Sequence, residues 1–259
     1  SIYGFPPMEL ILFTLLGGTL LAVSANVLNQ IFEISTDSLM ERTVNRPLVT
    51  GEVSKKNAYI YSISLGLFGY LILYTQSTTL AANIALSANI FYSFIYTLIL
   101  KPRTNQNIVI GGAAGAAPVL IGWSATGAEL EIGSWLLFLL VFLWTPAHFW
   151  ALSLENIDDY KDADFPMLPT QESKKRTAIF IGVYSCATVI TSILLAPILQ
   201  LGITYLVLAL LFGIYLMYKS YGLYVDKVKP ISYFIFSNTY LAVIFLSMVG
   251  DIFITLGSI

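Results

Sequence analysis

Long apolar stretches alternate with short polar ones along the chain. Eight of the apolar stretches approach the length of about 20 residues that a helix needs to cross a lipid bilayer. They cover residues 8–28, 57–76, 80–100, 107–127, 132–154, 177–199, 203–221 and 233–256. Segments of this length satisfy their backbone hydrogen bonds in lipid as helices. The pattern therefore predicts an all-α fold, a polytopic transmembrane helical bundle of about eight spans.

Basic residues lie at only one end of these predicted spans. All 13 Lys and Arg residues fall in or beside the connectors that follow the first, third, fifth and seventh spans. They are Arg42, Arg46, Lys55, Lys56, Lys101, Arg103, Lys161, Lys174, Lys175, Arg176, Lys219, Lys227 and Lys229. By the positive-inside rule these connectors face the cytoplasm, or the matrix in a mitochondrion. The expected location is a prokaryotic inner membrane, with the charged connectors on its cytoplasmic face.

Composition narrows the class of protein further. The chain is 57% hydrophobic and 11% charged, whereas soluble domains are roughly 45–50% apolar and about 25% charged. This balance excludes a soluble enzyme and a disordered chain. The net charge of −2 excludes a nucleic-acid binder that relies on bulk positive charge. The single cysteine, Cys186, lies in an apolar run, where we expect a small buried hydrophobe.

A first acidic cluster follows the first predicted span. Asn29, Glu33 and Asp37 recur every four residues and therefore share one helical face, with Asn26 about one turn deeper. Carboxylates stacked on one face repel each other unless a cation lies between them. Mg²⁺ suits this role, because it is commonly bound by one or two carboxylates together with substrate phosphates. The alternative is a solvated helix end with ordinary salt bridges.

Basic and amide side chains accompany this cluster at the same membrane edge. Those that we expect to bind phosphate oxygens are Arg42, Asn45, Arg46, Lys101, Arg103, Gln106 and Asn107. Arginine presents a planar fork of donors that matches a phosphate group. For Lys101 and Arg103, ordinary anchoring at the membrane surface is an equally good interpretation.

A second cluster closes the fifth predicted span. His148 and Asp159 lie eleven residues apart and share a helical face. Asp158, Asp159 and Asp162 fall at the membrane boundary, where they could hold a second magnesium ion or share the same diphosphate. An ordinary acidic turn is the alternative. Tyr160 and Lys161 lie within this turn, and we include them among the candidate substrate-binding residues.

His148, the only histidine, has three open interpretations. It could satisfy a buried hydrogen bond, ligate the iron of a metalloporphyrin, or accept a proton near the substrate. Trp144 and Trp150, on the same span, favour a large and flat acceptor.

Two acidic clusters and several cations at one end of an apolar bundle indicate a particular chemistry. The polar end suits the binding of a magnesium-complexed diphosphate, and the apolar bundle suits the binding of a long hydrocarbon chain. We expect ionisation of an allylic diphosphate, because metal ions and basic groups stabilise the charge on the departing group. A lipid-embedded pocket would protect the resulting carbocation from water.

Several stretches match a known family. They are SANVLNQ at 24–30, MERTVNRPL at 40–48, TNQNIVIGGAAG at 104–115, LIGW at 120–123, WTPAHFWAL at 144–152, DY at 159–160 and PMLP at 166–169. On these residues, which extend over nearly the whole chain, the sequence resembles the protoheme IX farnesyltransferases, a branch of the intramembrane prenyltransferases. The stretch around His148 and the turn at Asn45–Arg46–Pro47 are specific to this branch.

The resemblance implies an activity and a set of ligands. Members of the family transfer a farnesyl group from farnesyl diphosphate to a vinyl group of protoheme IX, with addition of water, to give heme O and diphosphate. It implies Mg²⁺ as cofactor, with Glu33, Asp37, Asp158 and Asp159 as its ligands. Asn29 and His148 complete the implied catalytic set. Heme A synthase or the assembly of a terminal oxidase would be the partners, in contact with membrane lipid.

The sequence departs from the family pattern at two points. The family pattern has nine spans, so we expect residues 1–259 to form a single transmembrane prenyltransferase domain that lacks the first family helix. Asp164 stands where relatives usually have glycine, which would strain the second motif if the backbone there needs a positive φ. A prenyltransferase acting on a quinone precursor or a glycerol phosphate lipid remains the alternative function. A transporter is disfavoured, because the charged residues collect at one end and not near the midplane.

Overall fold

The computed structural model describes residues 6–256, and over this range the protein is a bundle of helices without strands. Eight helices are long and apolar enough to cross a membrane. They are α1 (Met8–Phe32), α2 (Lys55–Gln76), α3 (Thr79–Leu100), α4 (Asn107–Ala125), α5 (Ile132–Glu155), α6 (Lys174–Ile198), α7 (Ile203–Tyr224) and α8 (Pro230–Leu256). The prediction of an eight-span helical bundle is confirmed.

The helices extend beyond the predicted apolar segments at their polar ends. Helix α1 continues four residues past position 28, and α6 begins three residues before position 177. The reason is that hydropathy marks the part of a helix in lipid, whereas the backbone ladder continues into the polar interface. Serine caps set two of these starts, since the Ser54 and Ser173 side chains accept hydrogen bonds from backbone N–H groups of α2 and α6.

The two longest connectors lie at the same end of the bundle, which we call the basic end. Successive helices alternate in direction, so the connectors after α1, α3, α5 and α7 meet there. Four short helices lie in these connectors, at Ile34–Asp37, Pro47–Thr50, Ile157–Asp162 and Leu168–Gln171. The connectors at the opposite end have at most six residues each and contain no Lys or Arg. The predicted collection of charged residues at one end is therefore found in the fold.

Helix α3 changes its winding halfway along. It is an α-helix up to Ile90 and a π-helix over Phe91–Leu100. A π-helix bonds each N–H to the carbonyl five residues earlier, and it occurs frequently at functional sites. The pattern is visible where the backbone N–H of Lys101 donates to the carbonyl of Tyr96. The sequence does not predict this change, because the largely apolar segment Phe91–Leu100 is compatible with either winding.

Helices α1 and α2 pack backbone to backbone through glycine. A Cβ atom built on Gly69 would lie 2.7 Å from the carbonyl oxygen of Gly17, and one built on Gly17 would lie 2.9 Å from that of Gly69. Such small residues let two membrane helices approach closely, and dispersion forces then hold them together. Because α1 carries the first acidic cluster, this contact supports one wall of the site.

We expect Gly69→Val to lower the thermal unfolding temperature of the purified protein, because backbone atoms of α1 cannot yield to the added methyl groups. Overpacking of this kind costs about 1–3 kcal/mol. Gly250→Val is the matched control, since a Cβ atom there meets nothing within 4 Å. Equal unfolding temperatures for the two variants would contradict the proposed close contact.

Helices α5 to α8 form the larger hydrophobic core. Tyr205, Tyr233 and Tyr240 are buried within it, and each hydroxyl has a hydrogen-bond partner on α6. Such pairing satisfies the polar end of an otherwise apolar side chain.

The expectation for Cys186 was wrong: its side chain is exposed on the outer face of α6, where an apolar thiol can contact lipid. Asp251 is buried and accepts a 2.5 Å hydrogen bond from the backbone N–H of Gly202, so it caps α7.

Candidate functional site

A cavity of about 500 Å³ lies among α1, α3, α4 and α5 and reaches the basic end. We call it the main cavity. Its deeper wall is largely alanine, glycine, leucine and isoleucine. Its polar lining residues are Asn26, Asn29, Glu33, Asp37, Arg42, Arg46, Asn89, Tyr92, Tyr96, Lys101, Thr145 and Tyr160. The cavity therefore combines a charged mouth with an apolar interior.

The first acidic cluster forms one wall of this mouth. Helix α1 ends at Phe32, and the chain continues after Glu33 into the short helix Ile34–Asp37. The helical register is nearly preserved, so Asn29, Glu33 and Asp37 all line the main cavity as their spacing predicts. Each of the three is less than a tenth exposed. Carboxylates this deeply buried require a partner of opposite charge.

Each of the two carboxylates has its own cation. The Nζ atom of Lys101 lies 2.6 Å from both oxygens of Glu33. The Nη1 atom of Arg46 lies 2.5 Å from Oδ2 of Asp37. Lys101 also lies over the ring of Phe165, 4.8 Å from its centroid. The mouth thus holds two ion pairs with buried carboxylates and partly exposed cations, formed by residues that were predicted separately to bind metal and phosphate.

The π-helical part of α3 brings its polar side chains onto one face. Tyr92, Tyr96 and Lys101 all line the main cavity. In an α-helix of 3.6 residues per turn, positions 92 and 101 would point in opposite directions. A π-helical turn takes nearly one residue more, because its hydrogen bonds span five residues and not four, and this aligns the three side chains. Thr97, on the adjacent face, accepts a 3.1 Å hydrogen bond from Nδ2 of Asn29.

The donor set fits magnesium when phosphate supplies the remaining ligands. Over residues 6–256, no group of three His, Cys, Asp or Glu side chains is arranged to hold a metal ion by itself. Glu33 and Asp37 line the same wall, however, and Mg²⁺ is usually bound through one or two carboxylates, waters and substrate phosphates. The site fits a metal that arrives with its substrate better than a resident metal.

The second acidic motif is placed differently from the first. Within Ile157–Asp162, only Tyr160 lines the main cavity, together with Phe165 and Met167 beyond the turn. The side chains of Asp158 and Asp162 are exposed, and Asp159 is half-buried. Their roles in metal or diphosphate binding stay predictions.

Asp164, which stands where relatives usually have glycine, has a positive φ. Its φ is +52°, in the left-handed region. Asp adopts this region more readily than most residues, because its short polar side chain can hydrogen-bond locally. The turn that carries Phe165 into the cavity wall therefore forms without glycine.

Residues 1–252 match the UbiA prenyltransferase family. The chain belongs to this family. It is 40% identical to protoheme IX farnesyltransferases of two Thermus thermophilus strains over 250 residues, which are 96% of this chain and 41% of theirs. The chain thus spans about two fifths of the length of these relatives. It is 41% identical to protoheme IX farnesyltransferase of Clavibacter sepedonicus over 250 residues, which are 95% of this chain and 82% of the relative.

Solved structures of UbiA proteins share the fold. A structure of digeranylgeranylglyceryl phosphate synthase superposes with a TM-score of 0.78 at 22% identity, covering 95% of this chain and 86% of that one. A UbiA homolog from Archaeoglobus fulgidus, bound to GPP and Mg²⁺, superposes with a TM-score of 0.65 at 19% identity, covering 94% and 89%. At these identities the comparisons establish the helical architecture.

His148 lies outside the main-cavity lining in this UbiA protein. Over the described residues, α5 contributes Thr145, Phe149 and Leu152 to that lining. The His148 ring is buried between the rings of Trp144 and Phe234, with centroids 4.1 and 4.2 Å away. The sequence could not indicate this placement, because α5 has no distinct polar face.

The hydrogen bonds around His148 determine its tautomer. Its Nδ1 atom lies 2.7 Å from the hydroxyl oxygen of Ser237, and that hydroxyl donates to the carbonyl of Phe234. Because serine has one hydrogen to donate, Nδ1 must carry the proton and donate to Ser237. The arrangement satisfies one ring nitrogen and joins α5 to α8, in line with the interpretation of His148 as a hydrogen-bonded packing residue.

We expect His148→Ala to destabilise the protein by about 3–5 kcal/mol, as for other large aromatic residues cut back to alanine in a packed core. Thermal unfolding in detergent measures this. Phe68→Ala is the control, since the Phe68 side chain is 60% exposed and its removal should affect stability little. Unchanged stability of His148→Ala, with loss of prenyl transfer, would instead assign His148 a chemical role.

The remaining predicted substrate-binding residues are dispersed. Trp150 is fully buried in the core of α5 to α8, against Phe180 and Tyr184. Arg103 donates to the carbonyls of residues 98 and 99 and so caps α3. The Asn107 side chain is buried and donates to the carbonyls of residues 104 and 166, which ties two connectors together.

Three further predicted residues lie at the surface. They are Asn45, Gln106 and Lys161, whose side chains are exposed at the basic end. Trp144 donates from Nε1 to the carbonyl of Ser237.

The cavity residues that were not predicted from the sequence are chiefly Tyr92, Tyr96, Phe149 and Phe165. They lie on or next to the same spans as the polar motifs, which makes them candidates. The sequence does not show, however, which side of each helix faces the cavity.

Proposed function

We propose that the protein transfers a farnesyl group from farnesyl diphosphate to a vinyl group of protoheme IX, which gives heme O after addition of water. The observation that carries the proposal is the main cavity, with two carboxylate–cation pairs at its mouth and an apolar interior. The identity of about 40% to relatives named protoheme IX farnesyltransferase supports the acceptor. Residues 1–259 act in this proposal as one prenyltransferase domain.

The diphosphate binds at the mouth, with its prenyl chain directed into the apolar interior. Glu33 and Asp37 would hold Mg²⁺, and the metal would supply charge neutralisation for the departing diphosphate. The bound GPP and Mg²⁺ in the Archaeoglobus fulgidus structure support this choice of ligands. Lys101 and Arg46 then turn from their carboxylates to the phosphate oxygens.

Transfer begins when the bond between the first prenyl carbon and the diphosphate oxygen breaks. The electron pair leaves with the diphosphate, where Lys101 and Arg46 stabilise its negative charge. The rings of Tyr92 and Tyr96 line the cavity between mouth and interior and can stabilise the allylic cation by their faces. The vinyl group of the porphyrin then attacks this cation. Water adds to the resulting porphyrin-side cation and releases a proton.

The experiment that tests the proposal supplies purified protein in nanodiscs with ferrous protoheme, farnesyl diphosphate and Mg²⁺. Heme O, identified by chromatography and mass spectrometry, is the expected product, and chelation of the metal should abolish it. A parallel reaction contains 4-hydroxybenzoate in place of heme. A prenylated phenol without heme O would preserve the diphosphate half of the proposal and overturn the acceptor half.

We propose further that the basic end faces the cytoplasm, as the distribution of Lys and Arg favours. Farnesyl diphosphate, a soluble anion, would then reach the mouth from that side, while protoheme enters from the lipid. Heme O would pass to heme A synthase or to the assembly of a terminal oxidase.

A further inference from the structure

A second, smaller and more open cavity adjoins the main cavity on the side of the bundle. It has a volume of about 350 Å³ and lies among α3, α4 and α5. We call it the side crevice. Asn83 and Ser87 at its rim are exposed, and they belong to the first half of α3, away from the basic end. The crevice therefore opens on the side of the bundle within the depth of the membrane.

The two cavities share a wall of three side chains. Ala88 of α3 and Ala114 and Ala117 of α4 line both of them. Ala88 and Ala114 are half-buried, as expected for residues with open space on two sides. Each side chain is a single methyl group, so the space between the cavities depends directly on the size of these three residues.

The depth of this wall matches the interior of the main cavity. Ala114 lies seven residues from the basic end of α4, which begins at Asn107, and a rise of about 1.5 Å per residue places it ~10 Å below that end. The charged mouth with Glu33 and Lys101 lies at the basic end itself. A prenyl chain whose diphosphate is held at the mouth therefore points its far end toward the wall.

The side crevice suits an apolar occupant. Phe91 and Phe138 contribute aromatic surface to its lining. The side-chain oxygen of Asn83 already accepts a 3.1 Å hydrogen bond from the hydroxyl of Tyr70. A hydrocarbon tail that leaves the main cavity would bury itself against these rings, which is favourable in proportion to the apolar area covered.

We propose that Ala88, Ala114 and Ala117 form a chain-length gate, through which the last isoprene units of the prenyl diphosphate pass from the main cavity into the side crevice. The proposal rests on the proposed function, since it takes the substrate to be a prenyl diphosphate. It assigns a selectivity role to residues that contact neither the diphosphate nor the acceptor. A larger side chain at the gate shortens the chain that the protein accepts.

The test compares Ala114→Leu with Ala22→Leu. Ala22 also lines the main cavity, seven residues from Asn29 and so at a similar depth, but it does not line the side crevice. Both variants add the same atoms to the main cavity, and only one adds them to the gate. Binding of geranyl, farnesyl and geranylgeranyl diphosphate is measured by titration with Mg²⁺, and transfer to protoheme is measured for each.

For Ala114→Leu we expect the preference for farnesyl over geranyl diphosphate to fall at least ~10-fold, in the range that a few methylenes in an apolar pocket control. Geranylgeranyl diphosphate should lose binding most. Ala22→Leu should keep the wild-type ratio within about threefold, well below the discrimination expected at a gate. Ala117→Gly, which widens the gate, should raise the relative affinity for geranylgeranyl diphosphate and provides a second test if Ala114→Leu does not fold.

The outcomes separate this inference from the proposed function. Heme O formation by every variant with the same chain-length ratio would overturn the gate and leave the function intact. In another outcome, the chain-length dependence of binding changes only in the gate variants, and no heme product forms. This result would support the gate and overturn the proposal that protoheme is the acceptor. A uniform loss of affinity for all three diphosphates in Ala114→Leu would also overturn the gate.

Discussion

Asp37→Asn is expected to lower the rate of magnesium-dependent prenyl transfer by at least about 100-fold, the scale found when one charge-stabilising group is removed from an active site. Asp37 is 4% exposed, and its carboxylate is the partner of Arg46 at the mouth of the main cavity. The amide keeps the size of the side chain but removes the negative charge. Both the proposed metal ligand and the ion pair are then lost.

The loss should arise from binding of the metal–diphosphate pair and not from misfolding. Titration with Mn²⁺ in the presence of farnesyl diphosphate is expected to show weakened metal binding. The unfolding temperature should remain close to that of the wild type, because the Arg46 side chain is 29% exposed and water can solvate it when its partner is neutral. Glu41→Gln makes the same chemical change four residues away, at an exposed position outside the cavity lining. It should transfer at the wild-type rate. Equal rates for Asp37→Asn and wild type would remove Asp37 from the site.

The sequence was sufficient to predict the acidic wall, because its information is local. Asn29, Glu33 and Asp37 are four residues apart, and any nearly continuous helix places them on one face. The basic end was predictable for a similar reason, since the alternation of charged and uncharged connectors follows from the order of the spans. These features depend on spacing along the chain and not on packing between helices.

Features that depend on packing were not predictable. Lys101 lies 68 residues from Glu33, and nothing in either motif indicates that the two form an ion pair. Helix α5 has no distinct polar face, so its sequence does not show that Phe149 faces the cavity while His148 and Trp150 pack against neighbouring helices. The π-helical winding of α3 was not predictable either, since its largely apolar sequence fits an α-helix or a π-helix.

The ion pairs give the site a property that neither motif has alone. Mg²⁺ arriving without diphosphate would meet Lys101 and Arg46 beside its proposed ligands, and diphosphate arriving without Mg²⁺ would meet Glu33 and Asp37. Each ligand alone is opposed by like charge at short range, which is costly in a partly dehydrated site. When both arrive together, every charge gains an opposite partner. We therefore expect metal and diphosphate to bind cooperatively.

Lys101→Met tests this property directly. The methionine keeps an apolar side chain of similar length but removes the ammonium group that neutralises Glu33. We expect Mn²⁺ to bind more tightly than in the wild type when diphosphate is absent, because the repelling charge has gone. Affinity for farnesyl diphosphate with Mg²⁺ should fall, and prenyl transfer should slow by at least about 100-fold, since a charge that stabilises the departing group is missing.

Arg103→Met is the matched control for Lys101→Met. It removes one positive charge two residues away, from a side chain that caps the end of α3. The net charge of the two variants is equal, so long-range attraction of the diphosphate changes equally. The cooperativity between metal binding and diphosphate binding is measured as the ratio of Mn²⁺ affinities with and without farnesyl diphosphate. Only Lys101→Met should lower this ratio. If both variants change this ratio alike, the coupling comes from the overall field at the basic end, and the exchange of partners at Glu33 does not occur.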